Sequence, residues 1–212
     1  MPHKAGFVNI IGSPNVGKST LMNALVGENL SIVTSKAQTT RHRIMGIVNG
    51  EDFQIVYSDT PGVLKPAYKL QEGMMGFVKS AMEDADVVLF VTDIFEKKFE
   101  EEKILFRLQK SNIPILLLIN KIDLAKSNSD VERENANYWK HILPNAEIIF
   151  ISALEGINIK TIFEKILDKL PTSPPYYPKE SEELSDKPEK FFASEIIREK
   201  ILMNYHKEIP YS

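Results

Sequence analysis

FVNIIGSPNVGKSTLMNALVG, residues 7–27, holds a strand, a tight loop and a helix in one line. The near-continuous apolar run FVNIIG (7–12) reads as a strand buried on both faces of a sheet. GSPNVGKS, Gly12 to Ser19, then fits G-x-x-x-x-G-K-[ST], placed where that pattern works, after a strand and opening a helix. Gly12 and Gly17 let the backbone turn tightly, so that successive N–H groups point at phosphate oxygens. Lys18 is positioned to reach β- and γ-phosphates as a point charge, and the Ser19 hydroxyl to ligate Mg²⁺. The positive end of the helix that starts at Lys18 adds to this anion site.

Outward from this stretch, short apolar runs alternate with amphipathic ones. RIMGIVNG (43–50), FQIVYSD (53–59), DVVLFVTD (86–93), IPILLLINK (113–121) and AEIIFISA (146–153) give five more strands. Helical patterns fall near 17–27, 68–84, 99–111, 130–142 and 158–170. Only the pair at 43–59 has a hairpin-length connection, Asn49-Gly50-Glu51-Asp52, so it alone is expected to be antiparallel. The rest reads βαβα, which predicts a three-layer α/β domain with a six-stranded, mostly parallel sheet. PTSPPYYPKESEELSDKP (171–188) holds five prolines and little that could form a core, and reads as a linker. KFFASEIIREKILMNYHKEIPYS (190–212) resumes as an amphipathic helix, with Phe192, Ile196, Ile197, Ile201 and Tyr205 at helical spacing. The predicted organisation is therefore a first domain over 1–171, a linker over 172–188 and the start of a second unit over 189–212.

Composition narrows the class. A chain of 212 residues with 43% hydrophobic and 26% charged residues is ordinary for a soluble globular protein. A net charge of −3 gives no global attraction to nucleic acid. There is no cysteine, hence no disulfide, thiolate nucleophile or thiolate metal site. No apolar run approaches the length of a membrane span, and MPHKAGFVNIIG does not read as a signal peptide. These features predict a cytoplasmic protein. The four histidines are scattered without ligand spacing, Trp139 reads as packing, and FEKKFEEEK (95–103) as a solvated helix start.

Three further motifs sit at strand ends. SDTPG (58–62) follows the third strand: Asp59 is placed to hold Mg²⁺ through water, and Gly62 presents an N–H to a γ-phosphate with no side chain in the way. LINKID (118–123) follows the fifth. A carboxylate at Asp123 accepts from the N1–H and 2-amino group of guanine, whereas adenine offers neither donor and leaves a desolvated charge unpaired, at a cost of about several kcal/mol. Asn120 and Lys121 support that loop and flank the base. FISAL (150–154) follows the sixth, and its Ala153 N–H is expected to donate to the guanine carbonyl.

In the order GSPNVGKS, QTT, DTPG, NKID, SAL, the chain resembles the Era-type family of translation-factor-class GTPases, which act in ribosome assembly. PNVGKSTLMNALVG, SKAQTTRHRIMGIV (35–48), DTPGV (59–63), FFASEIIREKIL and EIPYS carry the likeness over essentially the whole chain. The resemblance implies a Mg²⁺-dependent GTPase that cycles between GTP and GDP, with slow intrinsic turnover. It places Gly12, Asn15, Val16, Gly17, Lys18, Ser19, Thr20, Asp59, Gly62, Asn120, Lys121, Asp123, Ser152, Ala153 and Leu154 around the nucleotide. Ser19, Thr40 and Asp59 become the metal set, and Lys18, Thr40 and Gly62 the catalytic one. Thr40, rather than Thr39, is the threonine that ligates Mg²⁺ when GTP is bound, and residues 31–42 and 60–80 are the segments that order around the γ-phosphate.

Val63 stands where many GTPases carry a water-orienting glutamine. Valine cannot orient water by a side-chain hydrogen bond, so help is expected from elsewhere, such as a K⁺ held by Asn15. The family's linker leads to a KH domain, which clamps single-stranded RNA with a GxxG loop. Residues 189–212 match only its beginning, and GMMG (73–76) lies in a helical pattern, so the clamp has no counterpart here. The implied partners are GTP, the 3′ end of 16S rRNA and the 30S subunit, with peripheral contact to the inner face of the cell membrane a further association of the family. A contrasting reading makes the chain an RNA- or ribosome-binding module in which hydrolysis is secondary.

Overall fold

The structure is a computed structural model, and it describes residues 2–34, 36, 38–125, 129–179 and 184–205. Six strands and six α-helices follow one another: β1 Lys4–Gly12, α1 Lys18–Val26, β2 Ile44–Asn49, β3 Phe53–Asp59, α2 Lys69–Glu83, β4 Val87–Asp93, α3 Glu102–Lys110, β5 Ile115–Asn120, α4 Ser129–Ile142, β6 Glu147–Phe150, α5 Ile159–Lys169 and α6 Glu189–Asn204. A 3₁₀ turn at Ile122–Ala125 was not foreseen from the sequence.

The strands form one sheet in the order β2-β3-β1-β4-β5-β6. β2 runs antiparallel to β3, as the short Asn49–Asp52 connection dictates, and every other pair is parallel. Every residue of β4 and β5 is buried, which is why those strands are written almost without polar residues. One core, with Val8, Ile10, Leu21, Tyr57, Leu118 and Ile162, lies under α1 and α5. The other, with Ile11, Val78, Phe90, Leu117 and Trp139, lies under α2, α3 and α4. Trp139 is fully buried and meets the Phe90 ring edge-on at 5.3 Å, so it packs, as its sequence position suggested.

The proline-rich segment is no loose spacer. The Ser173 N–H donates to the His3 carbonyl, and the Tyr176 and Tyr177 N–H groups donate to Gln54 Oε1 at 2.7 and 2.9 Å. Leu184 accepts from the Ile47 N–H at 2.9 Å, on the outer edge of β2. A segment without a core of its own thus covers a sheet edge that would otherwise present unpaired backbone groups.

Helix α6 also departs from its sequence reading. Ile196 and Ile197 are 54% and 62% exposed, whereas Glu195 is buried. The face that packs is mixed: Phe192 lies against the first core and Phe191 meets His42 edge-on, while Arg198 donates to the Thr39 carbonyl at 2.5 Å and Glu199 accepts from the Val33 N–H at 3.0 Å. Ion pairing with Glu195 explains why Arg198 can sit inward. His206 and the stretch 206–212, read as the approach to a second domain's strand, lie outside the described residues. Gly73 and Gly76 lie within α2, in keeping with a chance GxxG.

Candidate functional site

Strands β1, β3, β5 and β6 all end on the same edge of the sheet, and their following loops converge there. Between them lies a cavity of about 410 Å³, within the ~300–1,000 Å³ usual for small-molecule sites. Its walls include Lys18, Thr40, Gly62, Asn120, Asp123 and Leu154, drawn from all the motifs singled out in the sequence.

The phosphate-binding loop is built as its glycines require. Gly17 has φ +97°, and a Cβ there would fall 2.3 Å from Asn120 Nδ2, so no side chain fits. Lys18 is buried, and its Nζ donates to the Ser13 carbonyl at 2.7 Å. Burial lowers the ammonium from 10.5 to about 8, against the pull of Asp59 and Glu96. The DTPG loop is tied to this one: the Val63 N–H donates to the Gly12 carbonyl at 2.9 Å. Gly62 faces Pro14 so closely that a Cβ would lie 2.8 Å from Pro14 Cα.

Three oxygens predicted to share a metal gather beside the loop. Ser19 Oγ donates to Asp59 Oδ2 at 2.7 Å, lies 2.9 Å from Thr40 Oγ1, and Thr40 reaches the same carboxylate oxygen at 3.4 Å. Thr39 turns elsewhere, to the Thr34 hydroxyl and the Lys36 carbonyl. Burial pushes the Asp59 carboxyl up, while Lys18 and the surrounding hydroxyls pull it down. Its other oxygen, Oδ1, is buried with no hydrogen-bond partner among the described residues. A buried carboxylate with an open oxygen and two hydroxyls is an all-oxygen donor set, and it fits Mg²⁺ completed by phosphate oxygens.

At the other end, Asn120 is a strut. Its Nδ2 donates to the Val16 carbonyl at 2.8 Å, and its Oδ1 accepts from the Ala153 N–H at 2.9 Å. One buried side chain therefore joins three loops. In this structure the Ala153 N–H braces Asn120. Lys121 adopts φ +67° and binds the Asn15 carbonyl at 2.8 Å and Asp93 at 2.6 Å. Asp123 and Leu154 are exposed at the cavity rim, and Asn15, Thr20 and Ser152 also line it. Val16 is buried behind the loop, and its carbonyl is the acceptor Asn120 uses.

Sequence reasoning missed two acids. Glu96, taken as part of a solvated run, accepts from the Ser13 hydroxyl and from Thr92 Oγ1 at 2.6 Å, and burial pushes its carboxyl up. Asp93 holds Lys121. Neither had a signal beyond its place at the end of a buried strand.

The arrangement has known counterparts. Residues 7–121 match the family model described as 50S ribosome-binding GTPase. The GTPase Era of Alkaliphilus metalliredigens is 43% identical over 212 residues, all of this chain and 70% of that protein. The chain belongs to the Era family of GTPases. Two solved Era structures match it at 36% identity, over 99% of this chain and 70% of theirs. One is a point variant from Aquifex aeolicus bound to GDP and aluminium fluoride, with a TM-score of 0.89. The other is Era in complex with MgGDPNP and nucleotides 1506–1542 of 16S ribosomal RNA, with a TM-score of 0.88. As an Era-family protein the chain is a GTP-hydrolysing enzyme that uses guanine nucleotide with Mg²⁺. Among the described residues no helix is long and apolar enough to cross a membrane.

Proposed function

We propose that the chain is a GTP-driven switch in assembly of the 30S subunit, with 16S rRNA as its RNA partner. The observation that carries this is the meeting of Ser19, Thr40 and Asp59 at one end of a single cavity and Asp123 at the other. The Era complex with 16S RNA supports the choice of partner. Ser19, Thr40 and Asp59 would hold Mg²⁺, which would supply positive charge to the bound phosphates. Lys18 leaves the Ser13 carbonyl for the phosphates, and the Gly62 N–H meets the γ-phosphate. Asp123 reads guanine, while Asn120 and Lys121 keep its loop against the phosphate-binding loop. Thr40, as a member of the set that would hold Mg²⁺, would report whether the γ-phosphate is present.

Val63 is buried at 4% exposure, so the attacking water is oriented by something else. Asn15 is exposed at the cavity, and its side chain offers an oxygen for K⁺ there. Replacing KCl by NaCl should slow hydrolysis several-fold, and an unchanged rate removes K⁺ from the mechanism. Residues 1–171 form the GTPase unit, 172–188 the connection and 189–212 the opening of a KH-type unit. The protein works in the cytoplasm.

The deciding experiment is Asp123→Asn. The variant should lose GTP and gain xanthosine triphosphate, since an amide matches the altered base edge; unchanged GTP affinity would sink the base-reading assignment. Binding of a labelled RNA with the 16S 3′-end sequence, by anisotropy with GDP or a GTP analogue, tests the partner.

A further inference from the structure

Arg43 closes the segment that carries Thr40 and enters β2, yet it is only 8% exposed. Its Nε donates to Ser58 Oγ at 2.7 Å, and its Nη2 to Asn9 Oδ1 at 3.2 Å. The same guanidinium grips Asp84 with both ends, Nη1 to Oδ2 at 2.6 Å and Nη2 to Oδ1 at 2.9 Å. Asn9, fully buried in β1, adds a donor to Asp84 Oδ1 at 2.8 Å and another to the Ala81 carbonyl.

Asp84 is the C-cap of α2, where its charge faces the negative end of the helix dipole. The paired donors of Arg43 and Asn9 compensate for that. The rest of α2 is weakly specified by its own sequence. Its N-cap, Tyr68, makes no side-chain capping bond, and Gly73 and Gly76 sit mid-helix with open space where a Cβ would go. One guanidinium therefore joins four pieces: the segment three residues after Thr40, strand β1 at Asn9, the strand end next to Asp59, and the C-terminal end of the helix after the DTPG loop.

We infer that Arg43, through Asp84, is a positioning residue that makes α2 follow the segment bearing Thr40 when the γ-phosphate is engaged. This rests on the reading of Thr40 as the γ-phosphate sensor. Arginine suits the task because its fork meets both carboxylate oxygens while Nε reaches a third partner, which a lysine cannot do.

The test is hydrogen exchange of the full chain with GDP or a non-hydrolysable GTP analogue. In the wild type the analogue should slow exchange over both 38–42 and 69–83. Asp84→Ala is the variant of choice, because the Asp84 side chain is 40% exposed and its loss leaves Arg43 bound to Ser58 and Asn9. It should keep the analogue-dependent protection at 38–42 and lose at least about fivefold of that at 69–83, as expected for a severed coupling. Asp84→Asn, which keeps the shape and drops the charge, should lose less in the same place. Undiminished analogue-dependent protection of α2 in both variants overturns the proposal, as does equal loss at both segments with both nucleotides, the mark of a merely structural bond. If the wild type shows no analogue-dependent protection at 38–42, the Thr40 reading fails and this inference with it.

Discussion

The two ends of the nucleotide cavity are built on opposite principles. Around Asn120 each fixing bond runs between different loops, and the side chain making it is 3% exposed. Around Thr40 the threonine hydroxyls of the segment bond mainly within it, Thr34 to Thr39 at 2.6 Å and Thr39 to the Lys36 carbonyl at 2.7 Å, while Thr40 meets Ser19 at 2.9 Å and Asp59 only at 3.4 Å, and the one shorter bond comes from Arg198 of α6 to the Thr39 carbonyl at 2.5 Å. The base end is assembled before the nucleotide arrives, so little ordering cost falls on binding there. The phosphate end is left to be completed by its ligand, which is what lets a ligand with one more phosphate shift it. Guanine recognition and phosphate sensing are thus separable, and substitutions at the two ends should have different signatures.

The largest effect belongs to the base end. Asn120→Ala leaves the Val16 carbonyl and the Ala153 N–H unpaired in buried surroundings, a loss of about 2–4 kcal/mol. Affinity should fall about a hundredfold for GDP and for a GTP analogue alike, and Tm by roughly 5–15 °C. Fluorescent-nucleotide titration and thermal melting check this. A loss confined to the analogue would break the comparison, because Asn120 would then act at the phosphate end.

Next comes pH. Between about pH 8 and 10.5 the folded, nucleotide-free protein holds fewer protons on Lys18 than the unfolded chain does. Stability from this group is therefore penalised fully below about pH 8 and recovers as pH rises through that window. Nucleotide affinity moves the other way. Phosphates need the ammonium, so affinity should fall by up to about tenfold per unit above pH 8. Calorimetry at pH 9 in two buffers of different ionisation enthalpy should register proton uptake on binding; none would mean that Lys18 is already charged in the free protein.

A smaller, selective effect is expected at the other end. Thr40→Ala should lower the preference for GTP analogue over GDP by roughly five- to tenfold while leaving GDP affinity nearly unchanged. Thr39→Ala, whose hydroxyl bonds within its own loop, should not. Equal effects of the two substitutions on analogue and GDP would erase the distinction between the ends.

How much of this could be read beforehand follows the same division. The central strands were legible because burial on both faces leaves a continuous apolar run, and the parallel order followed from connection lengths. The phosphate and base motifs were legible because each needs a rare residue type at a fixed spacing. What escaped were partners chosen by tertiary approach. Glu96 sits in a run of charges that looks solvated, and only the fold brings it to Ser13. Arg43 reads as one more basic residue in KAQTTRHR until Asp84, 41 positions away, is seen to face it. In α6 the pattern marked Phe192, Ile196, Ile197, Ile201 and Tyr205; Phe192 does lie against the core, but Ile196, Ile197 and Tyr205 are exposed, and an ion pair with Glu195 lets Arg198 turn inward.

Helix α2 offers the mildest test and the most specific one. Gly73 and Gly76 lie on its exposed side with nothing within 4 Å of an added Cβ, so packing does not demand glycine at either position. A mid-helix glycine costs about 1 kcal/mol relative to alanine, and α2 bears that cost twice over one 15-residue helix. If the phosphate end is kept loose by its own sequence, Gly73→Ala and Gly76→Ala should each slow local opening of α2 about fivefold in the GDP form, with global stability and GDP affinity hardly altered. Amide exchange over 69–83 reads this directly. The gap in protection between GDP and GTP-analogue forms should narrow, because the GDP form would already hold what the γ-phosphate normally secures. An unchanged gap would mean that α2 takes its looseness from the loop before it, residues 60–68, and not from the helix itself.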